Sequence, residues 1–65
     1  MNKTDLEKGI KVLNDLVIEN VNYIEGNKKE LSSVVISSLE EETESLRKCI
    51  RVLEALKEVW KWRKQ

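Results

Sequence analysis

Apolar residues recur along this chain at the spacing of one helical face, and they do so in two blocks. In the first block Leu6, Ile10, Leu13, Val17, Val21 and Ile24 follow one another at intervals of three and four, widened by Leu16 and Tyr23. That is the signature of an amphipathic α-helix with one side against a core. Thr4 and Glu7 form a capping-box pair at its start, with hydroxyl and carboxylate each placed to satisfy a free amide. Gly26 is a natural stop, because glycine accepts the left-handed backbone that ends many helices. The pattern predicts a first helix from about Asp5 to Glu25 and a turn at Gly26-Asn27. Gly9 falls inside that helix, either as a tolerated surface residue or as a point of close backbone approach.

The second block restarts with another capping pair, Asn27 and Glu30. Leu39, Leu46, Leu53 and Trp60 then repeat every seven residues, and Val35, Glu42, Cys49 and Leu56 form a second such series. Read as heptads, the two series supply the two core positions of a coiled-coil helix running from about residue 28 to 63. Two Ser pairs flank Val34-Val35-Ile36, so a break near Ser37-Ser38 is an option. A β-hairpin pairing residues 21–24 with 31–35 is the rival, but neither flank alternates cleanly.

A tight turn makes the two helices antiparallel neighbours. Counted back from Gly26-Asn27, the first covers the second only to about Lys48 or Cys49. The stretch beyond holds Ile50, Val52, Leu53, Leu56, Val59, Trp60 and Trp62. A helix so apolar calls for a partner. The expected fold is therefore all-α: one helical-hairpin domain spanning residues 1–65, with a long second helix that completes a four-helix bundle or antiparallel coiled coil as a homodimer. Leu46, Cys49, Leu53, Leu56, Trp60 and Trp62 are the expected interface. In an antiparallel pairing of the long helices, Leu46 would lie against Leu56 of a second copy and Cys49 against Leu53, with Trp60 near Glu42.

Composition narrows the chemistry. Sixty-five residues make one small domain, which alone buries only about 60% of its unfolded surface. The chain has no His and one Cys, so a zinc site, a nucleophilic triad and an internal disulfide all lack their parts. Cys49 on the apolar stripe reads as a small buried apolar residue. No apolar run reaches four residues, so neither a signal peptide nor a membrane span is expected. A lone thiol fits a reducing compartment, and the chain is expected to be cytoplasmic. Nine Lys against three Arg, with much Asn, Ile and Glu, suggests an AT-rich bacterial or phage source.

Twelve basic and twelve acidic residues cancel overall, yet they are segregated. Residues 30–46 carry five Glu and no Lys or Arg, whereas residues 47–65 carry seven basic side chains against Glu54 and Glu58. Helix-dipole complementarity accounts for such an arrangement, and so does pairing of the acidic half of one long helix with the basic half of another. Glu40-Glu41-Glu42-Thr43-Glu44 holds an E-E-x-x-E pattern that resembles one metal-binding element of the all-α nucleotide pyrophosphohydrolases. The resemblance implies carboxylates holding Mg²⁺ against a triphosphate. That family's second element, E-x-x-D, has no counterpart: Lys57 follows Glu54 at that spacing, and Lys61 follows Glu58.

These features point to a non-enzymatic protein-binding regulator, adaptor or inhibitor that needs no cofactor and associates with itself. The alternative is a nucleic-acid-binding regulator using the basic, Trp-containing segment Lys57 to Gln65. A pI near 6.3 argues against phosphate-driven binding as the main role.

Overall fold

A computed structural model describes residues 2–63, with side chains to residue 60, and shows two α-helices. Helix α1 spans Lys3–Asn27 and helix α2 spans Ser33–Arg63, folded back on each other as an antiparallel hairpin. No strand occurs among the described residues. The hairpin is a rod of 52 × 15 × 14 Å.

Helix α1 begins earlier than Thr4 suggests. Asn2 is its N-cap: Asn2 Oδ1 accepts from the Asp5 amide at 2.9 Å, and Asp5 Oδ2 accepts from the Asn2 amide at 3.4 Å. The capping box therefore forms at Asn2–Asp5 rather than Thr4–Glu7. Asn caps at least as well as Thr, and the earlier start fixes Leu6 in the first helical turns, where it is buried.

At the other end Gly26 does not stop the helix. No glycine has a positive φ, and α1 continues to Asn27. The Asn27 side chain donates to the Tyr23 carbonyl at 2.9 Å, satisfying one of the last orphan acceptors. The Asn27 carbonyl accepts from the amides of Glu30 and Leu31 at 2.9 and 3.0 Å. These bonds build the reversal from residues 28–32, beyond the Gly26-Asn27 position expected. Ser32 opens α2, its hydroxyl accepting from the Val35 amide at 3.3 Å, so the Asn27–Glu30 capping pair is not used. From Ser33 the helix is unbroken through Ser37-Ser38.

The seam between the helices has alternating three- and four-residue steps. On α1 the seam positions are Leu6, Ile10, Leu13, Val17, Asn20, Ile24 and Asn27, with Gly9 and Val21 half-buried beside them; on α2 they are Ile36, Leu39, Thr43, Leu46, Ile50, Leu53, Lys57 and Trp60. Leu39, Leu46, Leu53 and Trp60 take the core position expected of them. The second series is corrected by one residue: Ile36, Thr43, Ile50 and Lys57 face inward, while Val35, Glu42, Cys49 and Leu56 are exposed. The shift keeps the Glu42 carboxylate out of the seam, buries Ile50 and half-buries Ile36. It also buries Thr43, whose hydroxyl donates to the Leu39 carbonyl at 2.7 Å.

Three contacts fix the register. Asn20 meets Thr43, a Cβ on Gly9 would lie 3.6 Å from Leu53 Cδ1, and Glu7 Oε2 lies 3.8 Å from Lys57 Nζ. Each step forward along α1 is matched by a step back along α2, which places Leu13 level with Ile50 and Lys3 level with Trp60. Helix α1 thus covers α2 to Trp60, about eleven residues past the limit drawn from a turn at Gly26-Asn27. The long uncovered overhang expected beyond Cys49 is absent, because the reversal sits later and α1 starts earlier.

Candidate interaction surface

In an antiparallel helix pair, the positions flanking the seam on one side come from equivalent heptad positions of both helices. On one side of this hairpin these are Gly9, Leu16 and Tyr23 from α1, with Val35, Glu42, Cys49 and Leu56 from α2. The next positions outward on that side include Val12, Val52 and Val59. On the opposite side lie Glu7, Asn14 and Val21, with Glu40, Arg47 and Glu54 facing them.

The two sides differ sharply. Nine large apolar side chains are exposed among the described residues. Seven of them share the first side: Val12, Leu16, Tyr23, Val35, Val52, Leu56 and Val59. Cys49 is exposed among them, and a shallow depression of about 320 Å³ lined by Lys48, Cys49, Val52 and Leu53 opens beside it. Only Ile18 and Val34 fall elsewhere. Tyr23 is 52% exposed, Val52 60% and Leu56 48%, values that belong to a surface and not to a core.

The opposite side is polar. Val21, Ile24, Glu25, Glu40, Thr43, Glu44 and Arg47 line an open groove of about 280 Å³. The acidic run 40–44 is divided by the helix. Glu40 and Glu44 border this groove, Glu42 Oε1 accepts from Asn20 Nδ2 at 2.9 Å on the apolar side, and Glu41 points outward, exposed. No group of three or more His, Cys, Asp or Glu side chains that could hold a metal occurs among the described residues. Of the three carboxylates of the E-E-x-x-E pattern, Glu40 and Glu44 thus share the groove while Glu41 lies apart from them.

Folding turns the charge segregation of the sequence into a dipole along the rod. The half nearest the turn, residues 19–46, holds seven Glu against Lys28 and Lys29. The open half, residues 3–18 and 47–63, holds nine Lys and Arg against five Asp and Glu. Ion pairs neutralise part of the basic half: Arg51 Nη2 lies 3.7 Å from Glu44 Oε1, and Lys57 pairs with Glu7. Both are well exposed, so each contributes less than about 1 kcal/mol.

The residues expected to form one interface are therefore divided. Leu46, Leu53 and Trp60 are half-buried in the seam with α1, and Cys49 and Leu56 stand on the exposed apolar side. The Trp62 side chain lies outside the described residues. Sequence reasoning did not assemble Val12, Leu16, Tyr23, Val52 and Val59 into one surface. The available signal was an apolar arc on both helices wider than a single seam needs.

No helix of the described residues is long and apolar enough to cross a membrane. No protein-family model, no curated protein and no solved structure matches the chain.

Proposed function

We propose that the chain is a non-enzymatic protein-binding module that works as a homo-oligomer, completing a helical bundle with a second copy and acting as a small regulator, adaptor or inhibitor. The observation that carries this reading is the clustering of seven exposed large apolar side chains on one side of the hairpin. Among the described side chains only Leu6, Ile24, Ile50 and Thr43 are buried, a small core for sixty-five residues. A compact monomer of 7.6 kDa exposes about 4,300 Å², whereas this hairpin exposes 5252 Å². An elongated rod carries such an excess by its shape, and a second copy lying along it would remove part of it.

The polar groove on the opposite side stays available when the apolar side is covered. A helical face beside that groove suits recognition of another protein's helix or strand. The lone thiol and the composition favour a reducing bacterial or phage-infected cytoplasm.

Light scattering on the protein alone, together with titration of duplex DNA at low and moderate salt, tests the reading. A mass near twice 7.6 kDa and no DNA binding is the expected result. A mass of 7.6 kDa, or tight DNA capture that collapses steeply with salt, would replace this function with the nucleic-acid alternative or with none.

A further inference from the structure

We propose that the second copy lies antiparallel on the apolar side, about a two-fold axis level with Leu16 and close to Cys49, so that Tyr23 of each copy docks over Gly9 of the other. This deepens the homo-oligomer reading and rests on it.

Charge selects the orientation. With the rods parallel, seven Glu of one turn half would lie beside seven of the other. With the rods antiparallel, each acidic turn half lies beside a basic open half. Exposed charges contribute little affinity, but like-charge juxtaposition excludes the wrong arrangement. Burial of the Leu, Val and Tyr side chains supplies the attraction.

Geometry selects the register. Leu16 and Cys49 flank the seam at mid-rod. Tyr23 and Gly9 lie on the same flank of α1, each seven residues from Leu16 and in opposite directions. A two-fold axis at Leu16 therefore carries Tyr23 of one copy to Gly9 of the other. Leu16 is level with Arg47, two residues from Cys49, so the same operation brings the two Cys49 to within about one helical turn of each other along the rods, and Glu42 to within about one turn of Leu56. Gly9 has no side chain, and what borders it is Leu53 Cδ1, 3.6 Å from where a Cβ would be. In the row Gly9, Leu16, Tyr23 the α1 flank thus carries no side chain at Gly9, a gap bordered by Leu53 across the seam, with Leu56 on the same side of α2. Tyrosine suits such a gap, because its ring is buried while its hydroxyl remains at the wet rim.

Gly9 makes the proposal testable, since the hairpin alone does not need it. A Cβ there makes an ordinary contact with Leu53, and alanine is the better helix former. In the isolated hairpin Gly9→Ala is therefore expected to raise the melting temperature, while in the dimer it fills the gap.

The experiment combines sedimentation equilibrium of the wild-type protein, Gly9→Ala, Tyr23→Ala and the double variant with copper–phenanthroline oxidation of the native Cys49. The expected result is a dimer whose dissociation constant rises about tenfold or more in each single variant, with losses that do not add in the double variant because both remove one contact. Rapid Cys49–Cys49 cross-linking accompanies it. In a parallel dimer α2 would face α1 of the second copy, leaving the two Cys49 on diagonal helices. A dimer in which Cys49 resists cross-linking, or in which Gly9→Ala leaves the dissociation constant unchanged, overturns this register and leaves the homo-oligomer reading standing. A monomer at every concentration overturns both.

Discussion

Asn20 and Thr43 meet across the seam of the hairpin, with Asn20 Nδ2 donating to Thr43 Oγ1 at 3.3 Å and to Glu42 Oε1 at 2.9 Å. A polar layer in the apolar middle of the seam fixes register at some expense in stability. Here each slip of one helix by a turn would strand the Asn20 amide against Leu39 or Leu46. Replacing both residues, Asn20→Leu with Thr43→Val, is expected to raise stability by about 1 kcal/mol or more through added apolar burial, roughly 4–8 °C in a domain of this size. The same change is expected to double amide resonances as the helices sample two registers. A lower melting temperature with a single set of resonances would show the layer to be a plain stabiliser.

The start of α1 is tested by its cap. Asn2→Ala removes the acceptor for the Asp5 amide and is expected to cost about 0.5–2 kcal/mol. Thr4→Ala is expected to change stability by less than about 0.5 kcal/mol, as for an exposed residue without such a role. Thermal melts of the two variants distinguish the caps, and the opposite ranking would move the helix start to Asp5.

Gly26 is helical, with nothing within 4 Å of where its Cβ would be. Gly26→Ala is therefore expected to stabilise the hairpin by about 0.5–1 kcal/mol. Were Gly26 a left-handed helix stop, the same substitution would destabilise it, so the sign of the change in melting temperature decides.

Much of this fold is legible in the sequence, and what is not has identifiable causes. The three-and-four spacing of Leu6 to Ile24 and the heptad Leu39, Leu46, Leu53, Trp60 specify two helices and one seam. The turn is misplaced from sequence because Gly26-Asn27 is a stronger local signal than Lys28 to Ser32. The bonds that set the real turn converge on the Asn27 carbonyl, a group every residue carries. The second core series is ambiguous because Val35, Glu42, Cys49, Leu56 and Ile36, Thr43, Ile50, Lys57 repeat equally well. What separates them is how α2 is rotated against α1, which buries Thr43 and Ile50 and leaves Glu42 and Cys49 exposed. A turn at Gly26-Asn27 would leave α2 uncovered beyond Cys49, and the later turn covers it. The proposed self-association rests instead on a lateral apolar side, which depends on how both helices are rotated about the seam.

Leu6 and Leu56 separate the two surfaces. Leu6 is buried in the seam, so Leu6→Ala is expected to cost about 2–5 kcal/mol at any protein concentration. Leu56 is half exposed in the single hairpin. Leu56→Ala is expected to be nearly silent in dilute protein and destabilising by about 2 kcal/mol or more where the second copy covers it. Denaturation at two concentrations checks the contrast, and equal effects of Leu56→Ala at both would place that residue outside any interface.

The central claim is that the apolar side bearing Leu16, Tyr23, Cys49 and Leu56 is covered by a second copy of the chain. The thermal transition of the wild-type protein, followed by circular dichroism over a roughly hundredfold range of concentration, tests it most directly. The account predicts a melting temperature that climbs steadily with concentration, because association and folding are linked. A transition that stays at one temperature across the whole range, with the mass of a single 7.6 kDa chain, would contradict it.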